Sequence, residues 1–292
     1  ITANDAFKPV TRYFDRITRP EQIIQSFPTA VQTMLDPADC GPACISLSQD
    51  IQGQTFDYPE EFFKEKIHTI RRPRPDDFQI KEAAEVIKSS KNPIIISGGG
   101  VFYSDAMEEL SDFAIKHNIP VTQTVMGYST MKRDHPHYAG QIGALGGKNT
   151  NLIAKQTDLA IAIGTKLGDF TTGSWANFEN ENFKLVTINV SRFDANKHLA
   201  QAIVGDAKIS LKDLSIALGD WKANEEWNKK SQTELAIWNE QIEKESAPSN
   251  QEIPSYVQAI GAIYKNSDPS DIAVTAAGGL VGEVVQVWRP RE

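Results

Sequence analysis

Apolar and polar positions change period along this chain, and the changes mark its elements. Between Asn92 and Val121 an unbroken apolar run, Ile94-Ile95-Ile96-Ser97, meets Gly98-Gly99-Gly100. A helical pattern follows, with Ser104 as its expected N-cap and Met107, Leu110 and Ala114 on one face. It stops at His117-Asn118, ahead of the extended Ile119-Pro120-Val121. Strand, glycine turn, helix and strand within about 30 residues make a βαβ unit. An apolar strand without polar alternation is buried on both faces, which predicts a parallel sheet between two helical layers.

The same alternation runs from Phe78 to Leu218. Ile80, Ala84 and Ile87 share a face of a first helix. Strands are predicted at Val121–Thr124, Leu159–Gly164, Lys184–Val190 and Ala202–Val204, and helices at Lys148–Gln156 and from Asp206, where Leu211, Leu214 and Leu218 line up. Met126 to Gly147, rich in glycine and proline, is expected to be irregular. Residues 78–218 are therefore expected to form one α/β domain. Its fold would be a Rossmann-like parallel sheet of five or six strands, helices on both faces and Ile94–Ser97 central.

The flanks read differently. Residues 1–52 offer a helix after Thr18-Arg19-Pro20-Glu21, with Ile23, Phe27 and Val31 at helical spacing, and one strand, Ala43–Leu47. One helix and one strand cannot bury a core, so this is expected to be part of an α/β domain. Residues 53–77 form a linker. Its Arg71-Arg72-Pro73-Arg74-Pro75 cannot be regular structure and is either a solvated connector or an anion site. Residues 219–252 are a helical linker in which Trp227, Leu235, Trp238 and Ile242 share a packing stripe. Residues 253–292 supply a helix, a strand at Ile272–Thr275 and the loop Ala276-Ala277-Gly278-Gly279, the expected opening of another partial α/β domain.

Composition adds limits. The 292 residues are 40% apolar, with 30 basic against 38 acidic side chains and a net charge of −8. That balance argues against nucleic acid as a partner. No apolar run is long enough to span a bilayer and no signal-peptide pattern occurs, so no membrane partner and a cytoplasmic location are expected. Cys40 and Cys44, in CGPAC, match neither CxxC nor half of a zinc site, and read as small apolar fillers.

Candidate chemistry is sparse. Gly98-Gly99-Gly100 lies where backbone N–H groups can hold a phosphate, yet it matches neither GxGxxG nor a Walker loop, and a tight turn explains it as well. Gly164-Thr165-Lys166 with Asp169 would stand at the sheet's carboxyl edge, and Gly143 to Gly147 would approach the same crevice. His135-Pro136-His137 reads as a pair of surface histidines lacking a third metal ligand. No complete catalytic constellation is present, so no catalytic and no metal residues are assigned.

The succession of a sheet's last strand, a Rossmann-like domain and the start of another α/β domain resembles the interior of thiamine-diphosphate-dependent enzymes. Local wording narrows this. Asn4-Asp5-Ala6-Phe7-Lys8-Pro9-Val10, Asp15-Arg16-Ile17-Thr18-Arg19-Pro20-Glu21-Gln22, Ser48-Gln49-Asp50, Asn189-Val190-Ser191-Arg192 and Ala276–Leu280 with Trp288 resemble the trihydroxycyclohexane-1,2-dione hydrolase family of myo-inositol catabolism.

The resemblance implies thiamine diphosphate and Mg²⁺ as cofactors, a small cyclic dione as substrate, hydrolytic ring opening and a homo-oligomer. It makes residues 1–52 the end of a pyrimidine-binding domain and 253–292 the start of a diphosphate-binding domain. The family's activating glutamate and Gly-Asp-Gly motifs are not found among residues 1–292, which are thus expected to be a central fragment that is inactive and binds no cofactor itself. Gly278, Gly279 and Leu280 match the first diphosphate-domain loop and are the cofactor-binding positions carried over. The alternatives are an acetolactate-synthase-like carboligase, or a nucleotide-binding or structural module without catalysis.

Overall fold

The computed structural model describes residues 2–276 and 278–289, and the chain divides into two units, 1–73 and 74–292. In the first unit, β1 (Tyr13–Ile17) and β2 (Ala43–Leu47) pair in parallel, joined by helix α1 (Ile23–Leu35). The sequence pattern predicts only β2. β1 escapes it because Asp15-Arg16 interrupt the apolar run, although Ile17 is buried and Asp15 accepts the hydroxyl of Ser26 from α1.

The second unit holds the predicted α/β domain. It opens with α2 (Asp77–Lys88), whose N-cap Asp76 accepts the Phe78 N–H at 2.8 Å. Six parallel strands follow: β3 (Pro93–Ser97), β4 (Val121–Gln123), β5 (Tyr138–Gln141), β6 (Leu159–Ile163), β7 (Lys184–Asn189) and β8 (Gln201–Val204). Their order is β5-β4-β3-β6-β7-β8, with β3 inside the sheet, as the all-apolar run predicts.

Side-chain alternation splits the core into two layers. Ile95, Ile161, Val186 and Ile188 point to one layer, where they meet Ala83 and Ile87 of α2, Leu110 and Phe113 of α4 (Met107–His117) and Leu211 and Leu214 of α7 (Ala207–Leu218). Ile94, Ile96, Ala160 and Ala162 point to the other, covered by Ile153 and Ala154 of α5 (Lys148–Gln156) and by Trp227 of α8 (Glu225–Glu245). All five residues of β3 are buried, each large side chain contributing about 1.5–3 kcal/mol.

Four local expectations fail. The helix after Gly98-Gly99-Gly100 is two helices, α3 (Gly99–Tyr103) and α4, separated at Asp105 with φ 51°, so Ser104 ends the first and does not cap the second. β5 lies inside the segment expected to be irregular. Of the two histidines expected on the surface, His137 is buried, only 7% exposed, and His135 is half-buried. The strand expected at Ile272–Thr275 is absent. Those residues have no regular structure, and Ile272 and Val274 stand 87% and 90% exposed, with no described strand beside them to accept their N–H groups.

After α8, helices α9 (Tyr256–Asn266) and α10 (Leu280–Val287) pack back onto it. Ile242 of α8, Ile260 of α9 and Val287 of α10 form a separate small core with Trp238, Val257 and Val284 around it.

Candidate functional site

In this strand order the connections leave β3 and β6 in opposite directions, so the carboxyl ends of those two strands flank the topological switch point where open α/β sheets bind ligands. Glycine dictates the geometry there. The Gly98 N–H donates to the Ile163 carbonyl at 2.8 Å and the Gly100 N–H to the Gly164 carbonyl at 3.0 Å. Gly164 sits at φ +60°, and a Cβ added to it would stand 2.5 Å from the Gly100 Cα. Two of the three glycine N–H groups that a phosphate would need are thus engaged by the neighbouring strand's loop. α3 is a single turn and a half. The triglycine is explained by the close approach of two backbones.

The second glycine loop joins the same edge. The Ala144 N–H donates to the Phe170 carbonyl of α6 (Asp169–Thr172) at 2.7 Å. Asn151 brackets Gly143, accepting its N–H and donating to its carbonyl, both at 3.0 Å. The structure therefore brings Gly143–Gly147 and the segment after Gly164 together, while Lys166 and Asp169 lie exposed beside them.

His135 and His137 do not form a metal site. His135 Nε2 pairs with the Ser111 hydroxyl and His137 Nε2 with the Asn118 carbonyl oxygen, each at 3.0 Å. Burial lowers the His137 imidazole to about 4, with the nearby His135 acting the same way. Among the described residues no group of three or more His, Cys, Asp or Glu side chains is placed to hold a metal ion.

The three positions carried over by resemblance lie at the start of α10. Gly278 has φ +138°, which favours glycine, and Gly279 has an ordinary φ of −61° with open space where a Cβ would stand. Neither packing nor conformation within the chain asks for glycine at 279. Leu280 begins the helix and is 42% exposed. A helix N-terminus with bare backbone in front of it suits a diphosphate oxygen, so these residues fit the group.

Sequence reasoning missed what holds α10 in place. The Gln286 amide donates to the Leu145 carbonyl at 2.7 Å and accepts from the Trp238 indole at 2.9 Å, tying α10 to the second glycine loop and to α8. Arg133 donates to the Val285 carbonyl at 2.7 Å, and the Tyr128 hydroxyl to that of Trp288 at 2.9 Å. Burial raises the Tyr128 phenol above its ordinary value, against the pull of Arg133 beside it. The only hint in the sequence was Trp238 in the α8 stripe.

Comparison with known proteins agrees with this architecture. Residues 80–214 match the family described as thiamine pyrophosphate enzyme, central domain. The matched stretch takes in all six strands of the sheet, β3 to β8. The chain is also 38% identical, over 99% of its length, to the 3D-(3,5/4)-trihydroxycyclohexane-1,2-dione hydrolase of Clostridium perfringens strain 13. It is 37% identical to the enzyme of that name from Bacillus licheniformis and 36% to that of Geobacillus thermodenitrificans, again over 99% of the chain. It spans about half the length of these relatives, 48–49%. The match to these relatives thus extends on both sides of residues 80–214, through Gly278–Leu280.

Proposed function

We propose that the protein belongs to a thiamine-diphosphate-dependent hydrolase that opens the ring of a cyclic 1,2-dione, trihydroxycyclohexane-1,2-dione, in myo-inositol catabolism. The observation that carries this reading is 36–38% identity to hydrolases of that name over 99% of the chain, its flanks included. The bare backbone at Gly278 and Gly279 supports it. In this reading the first N–H groups of α10 would hold the cofactor's diphosphate end, whose charge Mg²⁺ would help to neutralise. When bound, thiamine diphosphate supplies an electron sink for carbon–carbon cleavage. The chain's own part is to fix α10: Gln286, Arg133 and Tyr128 hold the helix against the loops before and after β5, so its N-terminus keeps one position for the diphosphate.

A nucleotide at the switch point is the weaker reading, since the Gly98 and Gly100 N–H groups are already engaged. No helix among the described residues is long and apolar enough to cross a membrane, which suits a small water-soluble substrate. We read the protein as a homo-oligomer in the cytoplasm, on the resemblance alone; light scattering that gave a monomer would remove the first part. The function is tested by incubating the enzyme containing this chain with the cyclic dione, with and without thiamine diphosphate and Mg²⁺, and separately with pyruvate. Ring opening that depends on the cofactor is expected. Acetolactate formation from pyruvate, with the dione untouched, would make it a carboligase.

A further inference from the structure

Of the eight non-glycine residues that hold a left-handed φ among the described residues, four meet at one place. They are two adjacent pairs, Ser174-Trp175 after α6 and His198-Leu199 before β8, joined where the Trp175 and His198 rings stand 4.6 Å apart. Such backbone costs free energy and persists only where its surroundings fix it. A hollow of about 650 Å³ opens beside the two pairs, at the amino ends of β7 and β8. Val86, Trp175, Phe183, Leu185 and Ala200 make its apolar wall. Val86 packs on one layer of the core, and Trp175, Phe183 and Ala200 on the other, so both layers reach the surface here. On the lip of the hollow Leu199, at φ +56°, is wholly exposed at 102%. A lone exposed leucine is ordinary. This one adds no burial to its own fold, holds backbone that glycine would hold with less strain, and adjoins an open apolar hollow.

We propose that this patch is a two-fold contact between copies of the chain, with Leu199 of each seated in the Trp175–Phe183 hollow of the other. A two-fold contact needs a surface complementary to itself, and here projection and hollow lie side by side. Charge selects the same occupant. At a net −8, two copies repel over most of their surface. The described wall of this hollow carries no carboxylate, and Lys184 stands in it. Glu82 accepts the Gln201 side-chain amide at 3.0 Å beside the hollow, so each copy brings both signs to the contact. This inference rests on the reading of the protein as a homo-oligomer and gives that assembly one of its surfaces.

Light scattering and sedimentation equilibrium of the purified protein and three variants test it. Leu199→Asp should halve the solution mass, or weaken the two-fold step about thirtyfold or more. Leu199→Gly removes the projection and relaxes the backbone, so the circular dichroism spectrum should be unchanged while the same step weakens about tenfold. Ile216→Asp, on α7, 77% exposed and outside the hollow, should leave the mass as it is. An oligomer whose mass neither Leu199 variant alters would overturn this contact and leave the homo-oligomer standing. Equal dissociation by Ile216→Asp would overturn it too, because added charge and not position would then be the cause. A wild type that is monomeric at about 100 micromolar would overturn both. Uptake of anilinonaphthalenesulfonate by that monomer, lost in Trp175→Ala, would make the occupant a small apolar molecule instead.

Discussion

Glycine answers a steric demand at position 164 and none at position 279, and single substitutions separate the two cases. Gly164→Ala forces a side chain into a left-handed φ and onto the Gly100 backbone, so it should destabilise by about 2–4 kcal/mol in urea unfolding. Gly279→Ala meets open space at an ordinary φ. It should change stability by no more than about 0.5 kcal/mol, yet weaken thiamine diphosphate in the cofactor-bound enzyme. Loss of stability at 279, or none at 164, would reverse the assignment. His137 makes a third residue-scale prediction. Its folded pKa, about 4, lies below the unfolded value, so the neutral ring is favoured by folding. That contribution is complete above about pH 6.5 and is lost as pH falls from there toward 4, by at most about 3 kcal/mol. Burial lowers His117 and His135 as well. His137→Gln, which keeps a donor for Asn118, should therefore flatten the fall in urea midpoint between pH 7 and 5 without abolishing it. An unchanged slope would show that His137 does not titrate in this range. Nothing in His-Pro-His foretold this burial; proline and charge there read as an exposed turn.

At the scale of elements, the sequence is legible where composition leaves one choice. β6 is all leucine, isoleucine and alanine, and β3 and β7 carry Ile94–Ile96 and Leu185-Val186 with Ile188 at their centres, which only a strand buried on both faces accommodates. β5 was not legible. Tyr138-Ala139-Gly140-Gln141 has no β-branched residue, its Gly140 has φ +95°, and its pairing with β4 shifts register. Tertiary context makes it a strand. Ile272–Thr275 errs the other way: β-branched residues of strong propensity remain unladdered where no described strand lies beside them. The clamp on α10 was equally invisible, because Gln286 gains its meaning only from Leu145 and Trp238, both distant in the chain. Gln286→Ala should cost about 1–2 kcal/mol and raise amide exchange across Leu280–Val287 relative to β3, measured by mass spectrometry. Uniform exchange across both segments would mean that the clamp contributes nothing local.

At the largest scale, the resemblance implies an activating glutamate and a Gly-Asp-Gly motif, neither found among residues 1–292, beside the matching Gly278–Leu280. Titrating the 292-residue chain with thiamine diphosphate and Mg²⁺ should accordingly give no binding tighter than about millimolar. A micromolar dissociation constant would show that the helix N-terminus suffices by itself. The strand order also has a consequence for how the protein is made. The first strand of the sheet to leave the ribosome, β3, is an inner one, and it acquires β4 and then β5 on one side before β6 exists. From Ser97 until Leu159 has been added, the other edge of β3 has no ladder partner. At about 5–20 residues per second this lasts roughly 3 to 12 seconds. During that interval the nascent chain presents an unpaired edge of isoleucines, the kind of surface that chaperones bind and that pairs wrongly with other chains. For that interval the growing chain on a polysome is open to a mispairing that the completed sheet, with β6 laid against β3, no longer allows.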